Sequence, residues 1–234
     1  AYGIDFKKLP VGTKLICNDA KFEITQIGKE CHSHCEIYKR VGDCIMPREG
    51  IFAKVLESGT IKVGDKIEVI YPEKDMPYMA AVMTLSDKGS RGERVDTSGP
   101  RAAEILKEHG FKIVEEILLP DEEAQIKKHL IRLSDSRQVD LIITTGGTGL
   151  SPRDRTPEAT LAVADRNVPG ISEAIRAGSM TITKRAMLSR GVSVIIINLP
   201  GSKKAVEESL SFVIDQLPHG LDTLRENTED CGRN

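Results

Sequence analysis

The 234-residue chain has no tryptophan, and aromatic residues make up only 4% of it. Neither sign of charge dominates, because 33 Lys and Arg stand against 35 Asp and Glu, for a formal net charge of −2. Surfaces that bind nucleic acid usually combine a basic stripe with aromatic side chains on which bases stack. Since the chain has neither feature, we expect no nucleic-acid partner.

Long apolar runs are also missing. The run Val192–Ile197 has only the length of a strand, far below the roughly 20 residues that cross a bilayer as a helix. No basic segment with an apolar core and a small-residue cleavage site opens the chain. The five cysteines are odd in number and unevenly spaced, which fits reduced thiols better than a disulfide framework. We therefore expect a soluble, cytoplasmic protein without a membrane partner.

Residues 1–71 have the pattern of a small β-rich domain. Alternating runs at Lys21–Ile27 and Lys66–Ile70 are separated by turn residues such as Val63-Gly64-Asp65, which is typical of a compact, barrel-like β domain. Residues 72–78 contain two prolines and three charged residues without periodicity. That composition predicts an interdomain linker.

Strand-like and helix-like segments alternate from residue 79 to residue 234. The predicted strands are Met79–Leu85, Phe111–Leu119, Leu141–Thr144 and Val192–Ile197. The predicted helices are Ser98–His109 with Ser98 as N-cap, about Glu122–Ser134, Pro157–Asp165, Ile171–Ala177 and Ser202–Leu217. This alternation predicts a three-layer α/β/α domain with a mostly parallel, doubly wound sheet.

Polar or glycine-rich residues follow each predicted strand. The four segments are Thr84-Leu85-Ser86-Asp87, Leu119-Pro120-Asp121, Thr145-Gly146-Gly147-Thr148-Gly149 and Asn198-Leu199-Pro200-Gly201. In a parallel sheet all carboxyl ends of the strands lie along one edge, and ligands bind there. The sequence therefore predicts that these segments converge on a single ligand.

The segment Thr145–Gly149 is suited to a phosphate group. Glycine lets the backbone approach a ligand closely, and consecutive backbone N–H groups can bind anionic oxygens. No Gly-Lys-Ser/Thr follows, so this is not a Walker loop. Thr156 before Pro157 predicts an N-cap and a helix N-terminus that points at the same ligand. The alternative is a tight turn without a ligand.

Two aspartates would adjoin this phosphate site. Asp154 follows the glycine-rich segment, and Asp121 follows another strand. A carboxylate repels a phosphate unless a cation such as Mg²⁺ binds between them. We therefore predict that Asp121 and Asp154 are magnesium ligands. The alternative for Asp121 is the N-cap of a helix beginning at Glu122. A charged loop nearby is either an anion clamp or a solvated turn, and its cations are Lys88, Arg91 and Arg94.

The segment from about Met79 to Cys231 closely resembles the molybdopterin adenylyltransferase family of molybdenum cofactor biosynthesis. The blocks that carry the resemblance are Leu85-Ser86-Asp87, Asp96-Thr97-Ser98-Gly99, Pro120-Asp121-Glu122, Thr144–Gly149, Arg153–Thr160, Leu188-Ser189-Arg190 and Asn198–Ser202. Members of this family transfer AMP from ATP to the terminal phosphate of molybdopterin and release pyrophosphate, with Mg²⁺.

The resemblance implies roles for individual residues. Asp121 and Asp154 match the carboxylates that act in catalysis and hold Mg²⁺, with ATP and molybdopterin as substrates. The positions that match substrate-binding blocks are Ser86, Asp87, Gly146, Gly147, Thr148, Gly149, Ser189, Arg190, Pro200 and Gly201. A homotrimer is also implied, with a molybdenum-insertion protein or a molybdoenzyme as protein partner. The alternative function is a non-catalytic carrier of molybdopterin or the molybdenum cofactor.

Residues Gln26–Ile70 resemble the C-terminal half of a MOSC domain, the module named after the C-terminus of the molybdenum cofactor sulfurase. The resemblance implies that Cys31 carries sulfur and that Arg48, within Met46–Gly50, holds an anion. Three cysteines and two histidines lie close together here and would suffice for zinc, namely Cys31, His32, His34, Cys35 and Cys44. Their spacing matches no pair of Cys-x2-Cys knuckles, which favours half-buried thiols over a metal site.

Overall fold

The computed structural model describes residues 3–28, 36–42, 44, 46–72 and 76–225. The chain divides into two compact units, one of Ala1–Met76 with Ser134–Gln138 and the other of Pro77–Leu133 with Val139–Asn234. Within the described ranges, no helix is both long and apolar enough to cross a membrane. Cys31, the predicted sulfur carrier, lies outside the described residues, as do His32, His34 and Cys35.

The first unit contains a four-stranded antiparallel sheet in the order β3-β2-β1-β4. Its strands are β1 (Lys14–Cys17), β2 (Ala20–Ile27), β3 (Ile51–Glu57) and β4 (Glu68–Ile70), and two short helices are α1 (Glu36–Val41) and α2 (Met46–Glu49). The buried core is small and is formed by Leu9, Leu15 and Ile24. Arg48 belongs to α2, and its side chain lies outside the description.

The second unit is built on a four-stranded parallel sheet in the order β6-β5-β7-β8. The strands are β5 (Met79–Leu85), β6 (Lys112–Leu119), β7 (Leu141–Thr145) and β8 (Ile196–Leu199). Every residue of β7 is buried, as expected of a continuous apolar strand covered on both faces. The predicted parallel sheet is therefore confirmed.

Helices cover both faces of this sheet. They are α3 (Asp87–Ser90), α4 (Ser98–Glu108), α5 (Glu123–Ile131), α6 (Thr156–Leu161), α7 (Pro169–Met180), α8 (Lys203–Ser211) and α9 (Leu217–Leu224). Ile143 belongs to the core formed with α4, α7, α8 and α9, whereas its neighbour Ile142 belongs to the core formed with α5 and α6. Neighbouring strand residues point to opposite faces, so the alternation places one core on each side. The predicted three-layer α/β/α architecture is confirmed.

The predicted strand Val192–Ile197 is wrong in its first four residues, because β8 begins at Ile196. Val192 N donates to Asn198 Oδ1 at 3.2 Å, and Asn198 N donates to Val192 O at 3.1 Å. Ser193 forms an antiparallel bridge with Ile197. The chain therefore folds back on itself before β8, because the side chain and the backbone of the buried Asn198 are both hydrogen-bonded to Val192.

Several predicted helix ends also differ from the structure. Ser98 is the first residue of α4 rather than its N-cap, because Asp96 Oδ1 accepts hydrogen bonds from Ser98 N at 2.9 Å and Gly99 N at 3.1 Å. Thr156 likewise lies inside α6. The predicted helix Ser202–Leu217 is wrong in its last part, because α8 ends at Ser211 and a 3₁₀ turn at Ile214–Gln216 leads into α9, which begins at Leu217. Pro218 lies in the first turn of α9, where a missing N–H is tolerated.

Candidate active site

A cleft of about 360 Å³ opens at the carboxyl edge of the parallel sheet. It lies where the strand order reverses, since β6 is on one side of β5 and β7 is on the other. Ligands bind at this position in open α/β sheets. The predicted site residues that line the cleft are Ser86, Asp121, residues 146–149, Asp154, Pro200 and Gly201.

Three of the residues predicted to bind substrate do not belong to this lining. Asp87 binds the backbone of Asp121, and Ser189 Oγ accepts a hydrogen bond from Gly191 N at 3.4 Å. Arg190 binds the side of the glycine-rich loop that faces away from the cleft. Substrate contact by these three side chains stays a prediction.

The cleft also includes residues that the predicted site did not contain. Arg94, Asp96, Thr97 and Leu118 belong to its lining. The block Asp96–Gly99 is one of the segments that carry the family resemblance, so that resemblance could have identified Asp96 and Thr97 as site residues. Arg94 comes from the charged loop, in which Arg91 instead binds Glu93 at 2.7 Å.

Residues 146–149 form a loop, and each of its four backbone carbonyl groups accepts a hydrogen bond on the same side of the loop. Thr156 and Arg190, which do not belong to the cleft lining, supply every donor. The bonds run from Thr156 Oγ1 to Gly146 O at 3.0 Å, from Thr156 N to Gly147 O at 3.2 Å, from Arg190 N to Thr148 O at 2.9 Å and from Arg190 Nε to Gly149 O at 2.7 Å. The loop therefore presents its other side to the cleft.

The N–H groups of residues 147–150 face the opposite way to these carbonyls. In a planar trans peptide the N–H of one residue points away from the C=O of the residue before it. Within the described part of the chain, none of these four N–H groups has a hydrogen-bond acceptor. Gly146 and Gly147 have φ values of +95° and +63°. Successive unbound N–H groups in such a turn form an anion-binding concavity.

Asp121 is placed by Asp87 and not by a helix end. Asp87 N donates to Asp121 Oδ2 at 2.9 Å, and Asp121 N donates to Asp87 Oδ1 at 3.1 Å. Helix α5 begins at Glu123 with Glu122 as its N-cap, so the alternative that Asp121 caps a helix beginning at Glu122 is wrong. Asp121 Oδ1 lies near the glycine-rich loop, since a Cβ atom on Gly147 would be 3.2 Å from it.

The charges around Asp121 disfavour its ionisation. Burial raises the pKa of its carboxyl group, and the negative charges of Asp87 and Asp154 raise it further. The pKa of Asp87 is instead lowered, because the Arg153 guanidinium binds its carboxylate through two hydrogen bonds of 3.0 and 2.8 Å. A cation in the cleft would relieve this repulsion at Asp121.

The two predicted magnesium ligands both line this cleft. Asp154 Oδ2 accepts a hydrogen bond from Ser151 N at 3.0 Å. Among the residues that the structure describes, no cluster of three or more His, Cys, Asp or Glu could hold a metal ion. Mg²⁺ usually binds one or two protein carboxylates together with substrate phosphates. The pair Asp121 and Asp154 fits such a shared site.

Comparison with known proteins identifies relatives for the second unit. Residues 81–219 match the family model described as a probable molybdopterin binding domain. The molybdopterin adenylyltransferase of Helicobacter pylori J99 is 39% identical over 153 residues, 62% of this chain and 87% of the relative. That of Escherichia coli K12 is 42% identical over 142 residues, 57% of this chain and 72% of the relative. Among solved structures, the molybdopterin biosynthesis enzyme MoaB of Thermus thermophilus aligns with a TM-score of 0.61 at 45% identity, covering 64% of this chain and 97% of that one.

Proposed function

The chain belongs to the probable molybdopterin binding domain family, and we propose that it is a molybdopterin adenylyltransferase that forms adenylyl-molybdopterin and pyrophosphate from molybdopterin and ATP. It is an enzyme of molybdenum cofactor biosynthesis, like its relatives at 39% and 42% identity. The observation that carries the proposal is the row of unbound N–H groups of residues 147–149, which line one cleft together with Asp121 and Asp154. This arrangement suits a reaction between two phosphate groups.

In the proposed reaction, a terminal phosphate oxygen of molybdopterin attacks the α-phosphorus of ATP. A new phosphorus–oxygen bond forms, the bond from the α-phosphorus to the oxygen that bridges to the β-phosphate breaks, and pyrophosphate leaves. The N–H groups of residues 147–149 bind the phosphate oxygens and stabilise their charge. Such transfers depend mainly on positioning and charge neutralisation, which these groups supply without a covalent intermediate.

Asp121 and Asp154 would hold Mg²⁺, which neutralises phosphate charge when bound. Asp87 orients the Asp121 carboxylate through its backbone N–H, and its own carboxylate is held by Arg153. Ser86 Oγ accepts a hydrogen bond from Gly89 N at 3.0 Å and lines the same cleft. We assign Ser86, Pro200 and Gly201 to substrate contact on the basis of this position.

Pyrophosphate release tests the proposed function. The intact chain with ATP and Mg²⁺ should release pyrophosphate only after molybdopterin is added, in amounts that match the adenylyl-molybdopterin formed. The variant Asp165→Asn, which changes an exposed carboxylate outside the cleft lining, should behave like the unchanged chain. Tight molybdopterin binding without any release would rule out the transferase and leave the carrier function.

We propose a homotrimer as the assembly. The observation that supports it is a set of exposed apolar side chains in the loops and helices after β7. They are Leu150, Leu161, Val168, Met180, Ile182, Met187 and Leu188. Exposed apolar side chains mark an interaction site where they form a contiguous patch. Sedimentation equilibrium should give three times the 25.7 kDa chain mass, and a monomer at micromolar concentration would contradict the proposal.

For residues 1–71 we propose a partial MOSC-like domain, joined by the linker 72–78 to the transferase domain 79–234. Its antiparallel sheet supports a β-rich module. Cys31 would carry sulfur and Arg48 would hold an anion, so the module would serve a molybdenum-insertion protein or a molybdoenzyme in the cytoplasm. Mass spectrometry of Cys31 after incubation with a persulfide donor tests the assignment, and an unmodified thiol would contradict it.

A further inference from the structure

Arg190 lies just before the fold-back that leads into β8, outside the lining of the cleft. Its backbone N–H and guanidinium bind four acceptors in the segment that contains the glycine-rich loop and the start of α6. These acceptors are Thr148 O at 2.9 Å, Gly149 O at 2.7 Å, the carbonyl of Asp154 and the carboxylate of Glu158. One arginine thus joins the end of the glycine-rich loop to the backbone of Asp154 and to the side chain of Glu158 in α6.

The bonds of Arg190 orient two peptide groups of the loop. Because Thr148 O and Gly149 O point at Arg190, the N–H groups of Gly149 and Leu150 point away from Arg190. Gly149 lines the cleft. The bond to Thr148 O comes from the backbone and persists whatever side chain residue 190 carries. Without the guanidinium, the peptide between Gly149 and Leu150 could rotate and present its carbonyl to an anionic ligand. The bond to Asp154 O fixes the backbone of a residue whose side chain lines the cleft.

Glu158 holds the guanidinium in this position. The side chains of Arg190 and Glu158 are 32% and 33% exposed, so the pair is largely removed from solvent. Burial favours the neutral form of Glu158, but the hydrogen bond from its own backbone and the contact with Arg190 outweigh it and lower its pKa. The ionised carboxylate keeps the fork of Arg190 directed at the loop, which a flexible lysine ammonium cannot reproduce.

We propose that Arg190 is a positioning residue for adenylyl transfer, whose guanidinium acts by holding the backbone carbonyls of Gly149 and Asp154, two residues of the cleft lining, in the orientation that binds substrate phosphate. This inference rests on the proposed function and assigns Arg190 to the loop instead of to direct substrate contact. It predicts that the fork of hydrogen bonds, and not the positive charge alone, is required.

The test compares Arg190→Ala and Arg190→Lys with Arg176→Ala in the full chain. Arg176 donates to Gly191 O at 2.8 Å, next to Arg190 in sequence, and has no bond to the glycine-rich loop, so it is a matched control. We expect both Arg190 variants to lower kcat/KM for pyrophosphate release by about 10- to 100-fold, as for other supporting residues of active sites. Arg176→Ala should retain the kcat/KM of the unchanged chain.

Guanidinium rescue separates positioning from a loss of stability. Added guanidinium at millimolar concentration should recover part of the activity of Arg190→Ala and none in Arg190→Lys, whose ammonium occupies the space. Hydrogen exchange of the Thr156 amide, which donates to Gly147 O at 3.2 Å, should also be faster in both variants, because the loop that holds its acceptor is less ordered. If Arg190→Ala does not fold, Arg190→Lys alone decides the question through kcat/KM and exchange.

Two outcomes distinguish the two proposals. If the unchanged chain releases no pyrophosphate, the proposed function fails, and the exchange measurement still decides whether Arg190 orders the loop. If the unchanged chain is active and folded Arg190→Lys has the same kcat/KM, the positioning role is overturned.

Discussion

Asp121→Asn is expected to lower molybdopterin-dependent pyrophosphate release by about 100-fold or more, the usual cost of removing one preorganised charge-stabilising group. Asn has a similar shape, and its amide oxygen can still accept the hydrogen bond from Asp87 N, which Asp121 Oδ2 accepts at 2.9 Å. The variant should therefore keep the local structure while losing the charge that we assign to Mg²⁺ binding. A loss of activity in this variant would therefore not result from a loss of the fold.

The same substitution should leave the unliganded chain as stable or make it more stable. Burial and the charges of Asp87 and Asp154 raise the pKa of Asp121 in the folded state. A carboxyl group with a raised folded pKa contributes stability below its unfolded pKa, and this contribution is lost as pH rises through the folded pKa. At neutral pH the ionised Asp121 therefore costs stability, and the neutral amide removes that cost.

The measurements are the initial rate of pyrophosphate release and the unfolding temperature at neutral pH, with and without Mg²⁺ and ATP. Asp165→Asn is the control, because Asp165 is exposed and lies outside the cleft lining. Mg²⁺ with ATP should stabilise the unchanged chain and the control, and should stabilise Asp121→Asn much less. Full activity in Asp121→Asn, or a large drop in its unfolding temperature, would show that this account of Asp121 is wrong.

Gly146→Ala is expected to destabilise the second unit by about 3 kcal/mol or more, through backbone strain together with overpacking. Gly146 has φ +95°, a conformation that L side chains rarely adopt. A Cβ atom there would lie 2.3 Å from the Leu85 carbonyl oxygen. That oxygen belongs to the backbone of the central strand β5, so it cannot move aside as a flexible side chain would.

Activity should fall in parallel, because Gly146 begins the loop that presents its N–H groups to the cleft. Urea unfolding measures the stability, and pyrophosphate release measures the activity of the folded fraction. Gly220→Ala is the matched control, since Gly220 lies within α9 with nothing within 4 Å of the added Cβ. Alanine in a helix is favoured by roughly 0.5–1 kcal/mol over glycine, so the control should be neutral or slightly stabilised. Equal stability of both variants would refute the role given to Gly146.

Local sequence patterns were enough to predict most of the fold of the second unit. The continuous run at Leu141–Thr144 predicted a strand buried on both faces, and β7 is one. The run Val192–Ile197 has the same β-branched composition, yet its first four residues lie outside β8 and fold back, where Asn198 binds the backbone of Val192. Propensity describes how a residue fits a pleated surface and carries no information about such a bond.

The alternation of strands and helices along the chain was enough to predict that the strand ends meet at one edge, together with residues 146–149, Asp121 and Asp154, since parallel strands have only one carboxyl edge. The role of each group at that edge depends on contacts between distant segments. Asp87 and Asp121 are 34 residues apart, and Arg190 is 41 residues from Gly149. Hydrogen bonds between such distant residues depend on how the loops pack, so no local pattern showed that Arg190 binds the outer side of the loop and Asp87 orients Asp121.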